Sequence, residues 1–422
     1  MGLGLGVALL LTACGGTTSG ATDAESTGAS TGGTLTIQTP WGESNPYYAP
    51  FEEIVAAYEG ANPDVDVKVI TNSMEQNQRI FTNSVLAGDA PDLIITNPVR
   101  DALAWVEQGA TVPVTEYLEE WGLASKIYED AQQEVNWLTE DGQLRGFPLV
   151  GFVWPTWYHS EDLQAAGVPV PATEEDVNAF VSALGGDGSV VVGGSDWSGF
   201  NAFLQTLQAY LSIEDLNRLA AEGGWSDNED ARKGVEWFVK LREVGFWSPD
   251  STGQTVDGAN AAFQGMQTAG ITLISDYFGD VPEDLASSIE LGGIPVPADA
   301  NVDKPVVMAA YTASGVMIST SGRDENLDVI RSFVEHLYEP ESIAMFVDQA
   351  GMVAAAEYDT SQPVSNALLA AANSPEFRDS VTFVQASNIP STVVENLTRA
   401  ASIAWTRNAS AEQILEAMDA VY

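Results

Sequence analysis

The amino-acid sequence predicts an α/β protein folded into two lobes. Strand-like and helix-like segments alternate along the first part of the chain, at the spacing of strands joined by right-handed crossover helices. The alternation resumes after residue 148, and the chain beyond its N-terminal segment has about 390 residues, enough for two domains. The sequence shows no repeat period, and no linker separates the two parts. We therefore expect lobes built from interleaved segments.

The first part of the chain supplies three strands and two helices. Alternating apolar residues predict strands over 34–38 and 65–70. Apolar residues at helical spacing predict helices around 51–58 and 80–86. The apolar run 90–95 is typical of a strand that is buried in a parallel sheet.

The second part is less regular, and its helices are clearer than its strands. Short apolar runs predict strands at 190–192, 271–274 and 315–319. Apolar residues at helical spacing predict helices around 235–239, 330–337 and 414–421.

The N-terminal segment has a pattern typical of lipid attachment. The tetrad Leu-Thr-Ala-Cys at 11–14 follows an apolar run and contains the only cysteine of the chain. It resembles a bacterial lipobox, which implies cleavage before Cys14 and a diacylglycerol on its sulfur. The stretch is shorter than the ~20 apolar residues of a spanning helix, so we interpret 1–13 as a signal peptide. No Lys or Arg precedes Cys14, which departs from the usual positively charged start.

Residues 14–33 are predicted to form a flexible tether. Beyond Cys14 they are almost all Gly, Ser, Thr and Ala, which cannot bury enough apolar surface to offset the entropy of ordering the chain. We therefore expect a body held at the outer face of the cell membrane, with the lipid on Cys14 as its contact with the membrane.

The charge of the chain is strongly negative, with 60 acidic against 16 basic residues and a net charge of −44. This sign argues against binding nucleic acid or anionic lipid surfaces, both of which need basic patches. The acids are dispersed along the chain, which is typical of a solvated, self-repelling surface. Selection of a cationic ligand stays open as a second interpretation.

The supply of reactive and metal-binding residues is small. With Cys14 used for the lipid, no cysteine remains for a disulfide or a zinc-thiolate site, and the only histidines are His159 and His336. We therefore expect no metal site and no cofactor. The single GxSxG match, at 28–32, lies in the predicted tether and not between a strand and a helix, and HExxH and Walker sequences are absent, so no catalytic motif indicates an enzyme.

Several motifs, in order along 34–422, resemble those of family 1 extracellular solute-binding proteins. These are the sugar-binding lipoproteins of ABC importers, and maltose-binding protein is of this kind. At the position where the family usually has Trp, this chain has Tyr277. The motifs that carry the resemblance are Leu86-Ala-Gly-Asp-Ala-Pro-Asp-Leu93, Asp141-Gly-Gln-Leu-Arg-Gly-Phe-Pro148, Trp157-Tyr-His-Ser-Glu-Asp-Leu163, Phe263-Gln-Gly265 and Gly292-Gly-Ile-Pro-Val-Pro297.

This resemblance implies a two-lobed periplasmic-binding-protein type II fold, in which hinge strands join the lobes and a ligand cleft lies between them. The implied lobes are 34–149 with 312–355, and 150–311 with 356–422. The protein is then no enzyme: it closes over its ligand, a mono- or oligosaccharide, and delivers it to the permease subunits of an ABC importer. We expect it to act as a monomer.

Eleven residues are candidates for contact with the ligand. In open α/β sheets, ligands lie beyond the carboxyl ends of the strands, and the crossing strands and nearby loops add further positions. Flat aromatic rings would cover the apolar face of a sugar, and carboxylates or amides would accept bonds from its hydroxyls. The candidates are Trp41, Glu43, Thr96, Asn97, Trp154, Trp197, Asn201, Trp225, Asp276, Tyr277 and Tyr311.

Two alternative functions remain open from the sequence. The same fold could bind a polyamine, a peptide or another cationic solute, or ferric iron through tyrosines such as Tyr47 and Tyr48. A secreted glycoside hydrolase would need two carboxylates about 5 to 9.5 Å apart, which 60 acidic residues could supply.

Overall fold

The computed structural model describes residues 32–422 except 44, 98–101, 103, 135–136, 185–188, 280, 360–363, 365, 385–388 and 390. The signal peptide, Cys14 and almost all of the predicted tether lie outside the described residues. Gly33, assigned to the tether from the sequence, is instead the first residue of a strand and lies opposite Val65.

Most strands are short, and one is long. In chain order they are β1 (Gly33–Thr39), β2 (Val65–Thr71), β3 (Leu93–Thr96), β4 (Thr111–Val112), β5 (Phe147–Trp154), β6 (Thr156–His159), β7 (Val190–Val191), β8 (Gly270–Thr272), β9 (Ile289–Gly292), β10 (Ile294–Pro295), β11 (Val306–Ser319), β12 (Val353–Ala354) and β13 (Thr382–Val384).

Among the described residues, no helix is both long enough and apolar enough to span a membrane. The 3-10 turns with bounds in the described part of the chain cover Pro249–Ser251, Ser275–Phe278 and Ser402–Trp405. The α-helices are α1 (Tyr48–Ala61), α2 (Met74–Ala87), α3 (Thr115–Glu120), α4 (Glu129–Gln132), α5 (Ser160–Ala166), α6 (Glu174–Leu184), α7 (Trp197–Leu207), α8 (Ile213–Glu222), α9 (Glu229–Val244), α10 (Val256–Gln264), α11 (Glu283–Ala286), α12 (Thr320–Leu337), α13 (Pro340–Ala350), α14 (Ala367–Ala372), α15 (Pro375–Ser380), α16 (Ser391–Ala401) and α17 (Ala411–Asp419).

The described strands form two sheets. In the larger sheet the order is β12-β5-β11-β3-β1-β2, and β4, β10 and β13 pair along β11. Here β1 is parallel to β2 and β3, as the α/β alternation predicts, whereas β11 is antiparallel to β3 and β5. The smaller sheet has the order β7-β8-β6-β9.

The parallel strands at the centre of the larger sheet are held by burial and by one carboxylate. All four residues of β3 are buried, as expected of a strand covered on both faces. Just before it, Asp92 Oδ2 accepts hydrogen bonds from the backbone N–H and the hydroxyl of Thr36, each at 2.7 Å. Asp92 Oδ1 accepts from Asn326 Nδ2 at 2.9 Å. The side chain of Asp92 therefore links β1, β3 and α12.

Two hydrophobic cores define the two lobes, and two strands run through both. The first core includes Leu149 on β5 and Val316 on β11. The second includes Trp154 on β5 and Val307 on β11. Because each strand enters both cores, β5 and β11 are the strands that join the lobes. The predicted fold class, a two-lobed α/β protein with hinge strands, is confirmed.

Candidate functional site

The hinge strand β5 presents aromatic side chains to both lobes. Side chains two residues apart lie on the same face of a strand, so Phe152 and Trp154 project on one side. The Phe152 ring lies 6.2 Å from that of Tyr47, which belongs to the first lobe. The Trp154 ring lies 5.4 Å from that of Trp197 in the second lobe, at 88°. These rings line the region where the lobes meet.

Trp197 is held at the start of α7 by a side-chain cap. Asp196 Oδ1 accepts from the Ser198 N–H at 2.9 Å, which satisfies a free donor of the first helical turn. Asp196 Oδ2 accepts from the Val256 N–H at 2.6 Å and so ties this turn to α10. The Trp197 side chain nevertheless stays 41% exposed, so a large flat ring is fixed in place but open to a ligand.

Asp276 lies on the Ser275–Phe278 turn, shortly after β8. Its Oδ1 is buried and has no hydrogen-bond partner among the described residues. Burial raises the pKa of the carboxyl to about 6, against the smaller effect of hydrogen bonds from the backbone N–H groups of Tyr277 and Asp276. Because an unpaired buried carboxylate oxygen is costly, it is suited to accept a bond from a ligand.

The turn that carries Asp276 touches the first lobe. A Cβ placed on Gly351 would lie 3.2 Å from Cα of Gly279 and 3.6 Å from Cα of Asp276. Gly351 ends α13, whose Phe346 belongs to the core of the first lobe. Asp276 is therefore at the boundary of the two lobes.

The second-lobe wall carries negative charge beside its rings. The pKa of the Tyr277 hydroxyl is raised, first by burial and then by the charges of Asp257, Asp276 and Asp196. The Tyr277 ring lies 6.5 Å from that of Trp197. Aromatic faces next to carboxylates can hold the apolar face and the hydroxyls of a sugar, and equally an organic cation.

The first-lobe wall contributes polar groups from the end of β3 and from the middle of β11. Asn97 follows β3, and its Oδ1 accepts from the Ser314 hydroxyl of β11 at 3.3 Å. Thr96 is 1% exposed, and its hydroxyl donates to the Asn97 carbonyl at 3.4 Å. Asn97 is half-buried and available from this wall, whereas Thr96 supports it from beneath.

Trp41 does not present its ring to the cleft. It is 0% exposed and lies 5.4 Å from the rings of Phe51 and Phe346 and 5.6 Å from that of Tyr47. The expectation that its ring face covers a ligand is therefore wrong, because α1 and α13 enclose it. Its buried Nε1 has no hydrogen-bond partner among the described residues. Tyr47 takes the position between Trp41 and the hinge.

Trp225 also lies in a core, that of the second lobe. It is 0% exposed, and its backbone N–H donates to Asp419 Oδ1 at 2.7 Å. The burial of Trp225 corrects the expectation of a ligand contact. Asn201 is half-buried and donates to the Trp197 carbonyl at 2.8 Å, so its amide group is engaged within α7.

The remaining two candidates are Glu43 and Tyr311. Glu43 is exposed. The pKa of the Tyr48 hydroxyl is raised, first by the charge of Glu52, then by burial and then by the charge of Glu43. The backbone of Tyr311 lies opposite Phe152 in the pairing of β5 with β11, and its side chain lies outside the described residues.

Sequence reasoning named Tyr47 only as a possible ligand of ferric iron, and it missed Phe152 and Ser314, which lie beside the candidates Tyr311 and Asn97. The spacing of Phe152 from Trp154 is the signal that could have identified it, once the segment is read as a strand. In the part of the chain that the structure describes, no three His, Cys, Asp or Glu side chains are grouped to hold a metal ion.

The two lobes, the hinge strands and the cleft of rings and carboxylates define a solute-binding protein. A family model described as Bacterial extracellular solute-binding protein matches residues 41–344. The chain therefore belongs to this family, whose members bind solutes and are not enzymes.

Solved structures show the same fold along most of the chain. A probable secreted solute-binding lipoprotein from Streptomyces coelicolor is 29% identical, with a TM-score of 0.86, covering 92% of this chain and 98% of that one. A family 1 extracellular solute-binding protein from Bifidobacterium longum subsp. infantis is 16% identical (TM-score 0.72; 92% and 98% covered). A chitin oligosaccharide binding protein is 18% identical (TM-score 0.68; 92% and 98% covered). A comparison with curated proteins finds no match.

Proposed function

We propose that this solute-binding protein captures a carbohydrate in the cleft between its lobes. The observation that carries the proposal is the buried Asp276 oxygen without a partner among the described residues, beside Tyr277, whose ring lies 6.5 Å from the partly exposed ring of Trp197. A sugar would place the C–H face of its ring on Trp197 and a hydroxyl on Asp276. Asn97 on the opposite wall would accept or donate a second bond.

One structural neighbour is named for a cargo of the same class. It is a chitin oligosaccharide binding protein, and its likeness at 18% identity extends to the fold. Experiment must identify the cargo of this chain. Phe152 adds a half-buried ring at the hinge, and Tyr47 and Trp154, at 6% and 2% exposed, pack against Phe152 and Trp197.

Capture and delivery would proceed by closure of the lobes. The lobes we propose are 34–149 with 312–355 and 150–311 with 356–422, and rotation would occur where β5 and β11 pass between them. The closed monomer would then be recognised by the permease subunits of an ABC importer. Lipid on Cys14 would hold the protein at the outer face of the cell membrane beside that importer.

A cationic solute is the second candidate, and one observation favours it. Asp196, Asp257 and Asp276 together surround Tyr277 with negative charge. An organic amine held between rings and carboxylates would use the same wall as a sugar. The two candidates differ in salt dependence, because charge attraction to an amine weakens as ionic strength rises.

A thermal-shift screen tests the cargo class. The probes are maltose, galactose, N,N′-diacetylchitobiose, spermidine, trialanine and ferric citrate. A ligand at 100 times its dissociation constant stabilises a protein by about 2.7 kcal/mol, which is visible as a raised melting temperature. A shift with a sugar supports the proposal, whereas a shift with spermidine alone supports the second candidate.

Calorimetry with a positive probe then tests the placement of the site. Asp276→Ala should weaken binding by about 2 kcal/mol, since a charge-assisted hydrogen bond is lost. The control is Asp227→Ala, which removes the same charge from an exposed position of the same lobe, directly after Ser226, whose N–H donates to Asp419. Equal affinity for wild type and Asp276→Ala would show that the site is elsewhere.

A further inference from the structure

A second groove lies between the lobes, and we name it the rear groove. Its volume is ≈ 630 Å³. The residues that line it are Tyr128, Glu129, Gln133, Tyr358, Asn373 and Asp379, with Pro375 at its rim.

The rear groove is on the side of the hinge opposite to the cleft. Phe152 and Trp154 project from β5 toward the cleft, so Val153 projects from the other face. There Val153 packs in a small cluster with Ala372, the last residue of α14. The next residue, Asn373, lines the rear groove. The groove is therefore separate from the cleft in which we place the cargo.

The two walls of the rear groove belong to different lobes. Tyr128 packs against the first core, as does Tyr358 just past the proposed boundary at 355, and the Tyr128 N–H donates to the Ala355 carbonyl at 2.9 Å. The other wall is formed by residues that come after α14 in the chain. Leu368 of α14 belongs to the second core. Asn373 Oδ1 accepts from the Ala354 N–H at 3.3 Å, which holds that wall against the hinge.

The chemistry of the lining is that of a site for an organic cation. Two tyrosines and two exposed acids, Glu129 and Asp379, line one space, and none of the residues described as lining it is basic. Glu129 Oε1 also accepts from Gln133 Nε2 at 2.9 Å, which holds the carboxylate at the groove. Rings beside carboxylates attract an ammonium group, and the net charge of −44 draws cations toward the surface.

We propose that the rear groove is a second binding site, for a small organic ammonium ion, that regulates closure of the cleft. The hinge strands lie between the two openings, so a rotation that narrows the cleft widens the rear groove. An amine that contacts both rear walls therefore favours the open cleft and weakens cargo binding, and by reciprocity the cargo weakens amine binding. The proposal has two parts. The binding part, that an ammonium ion occupies the rear groove, does not depend on the identity of the cargo. The regulatory part, that the bound ion favours the open cleft, rests on the proposed lobe closure.

Calorimetry with putrescine at 0.15 M salt, where surface attraction is largely screened at distances beyond ~8 Å, tests the binding part. We expect one saturable site and no binding of the neutral analogue 1,4-butanediol. Glu129→Gln combined with Asp379→Asn should weaken putrescine binding at least tenfold. Both positions lie on the surface groove and outside the two large cores, so the fold should persist, which circular dichroism checks.

A matched double variant separates the groove from general charge attraction. Glu120→Gln with Glu222→Gln removes two exposed acids, one from each lobe, and should leave putrescine binding unchanged. Equal weakening in both double variants, unsaturable binding, or binding of 1,4-butanediol as strong as that of putrescine would overturn the proposal. So would loss of binding in Asp276→Ala alone, because that would place the amine in the cleft.

Spin labels test the regulatory part. Cys14 is the only cysteine, so Cys14→Ser allows single labels at Gln108→Cys and Glu214→Cys, positions on the first and second lobes. Saturating putrescine should shift the distance distribution between the labels, and the shift should vanish in the rear-groove double variant. Saturable binding with an unchanged distribution would overturn the regulatory part. A failed cargo screen would instead overturn the proposed function and leave the titration intact.

Discussion

The lobe interiors and the boundary between the lobes use the same residue types in opposite ways. Within the second lobe, away from the boundary, the half-buried Asp419 accepts bonds from the N–H groups of Gly224, Trp225 and Ser226 at 2.7 to 3.0 Å. At the boundary, Asp276 is more deeply buried and leaves Oδ1 without a partner among the described residues. A carboxylate whose bonds are complete serves the fold, whereas one left incomplete in a cleft is suited to serve a ligand.

The tryptophans show the same contrast. Trp41 is enclosed by Phe51, Phe346 and Tyr47 in the first core. The Trp197 ring lies next to the rings of Trp154 and Tyr277, and the residue stays 41% exposed. Both are large rings close to a strand end in the sequence, so the difference arises only from what the rest of the chain places around them.

Trp41→Ala gives the largest expected effect. It should lower the free energy of unfolding by ~3–5 kcal/mol, because a fully buried ring is replaced by a cavity. Urea unfolding followed by circular dichroism measures the change. If the loss is below ~1 kcal/mol, Trp41 does not belong to the interior, and the comparison with Trp197 fails.

Asp276→Asn should stabilise the protein at pH 7.5 by about 2 kcal/mol in the absence of cargo. The pKa of Asp276 is raised by burial to about 6, above the ordinary value for an unfolded chain. The native state therefore binds more protons than the unfolded state between about pH 4 and 6, and stability is lost as pH rises through 6. In the Asp276→Asn variant this loss disappears.

The measurement is the difference in unfolding free energy between wild type and Asp276→Asn at pH values of about 4.5, 6 and 7.5, which span the titration. Taking the difference removes the titration of the many other acids. A difference that does not grow with pH would show that Asp276 is solvated in the native state, and its role as an unpaired acceptor would be withdrawn.

Asp419→Asn should act in the opposite direction and destabilise the protein by ~1 kcal/mol, after allowance for its partial exposure. Burial raises the pKa of Asp419, but hydrogen bonds from Ser226, Trp225 and Gly224 outweigh it, so the pKa is lowered. Its contribution is present at neutral pH and lost only as pH falls below about 4. Equal unfolding curves for wild type and Asp419→Asn at neutral pH would contradict this assignment.

The sequence was sufficient to predict the fold but only part of the cleft. Periodic apolar runs predicted β1, β2, β3 and their helices, because local burial sets that period. The sequence could not show that α1 and α13 enclose Trp41, since Phe346 is distant in the chain. Phe152 was missed because β5 is buried on both faces in most of its length and has no clear alternation. The strand-end rule named Asn97 and Asp276, and Asp276 lies at the lobe boundary against Gly351. Contact of either residue with a ligand stays a prediction.

Trp197→Ala gives the smallest expected effect on stability and so tests the comparison most finely. Its ring is partly exposed, and the Asp196 cap that holds α7 does not depend on it, so the free energy of unfolding should change by less than ~1 kcal/mol. Cargo binding should weaken by about 1 kcal/mol, since stacking on one face is lost. Trp197→Phe keeps a flat ring and should recover part of the affinity. A variant that lost stability but kept affinity would assign Trp197 to the interior with Trp41, and the boundary would then rely on Asp276 and Tyr277 alone.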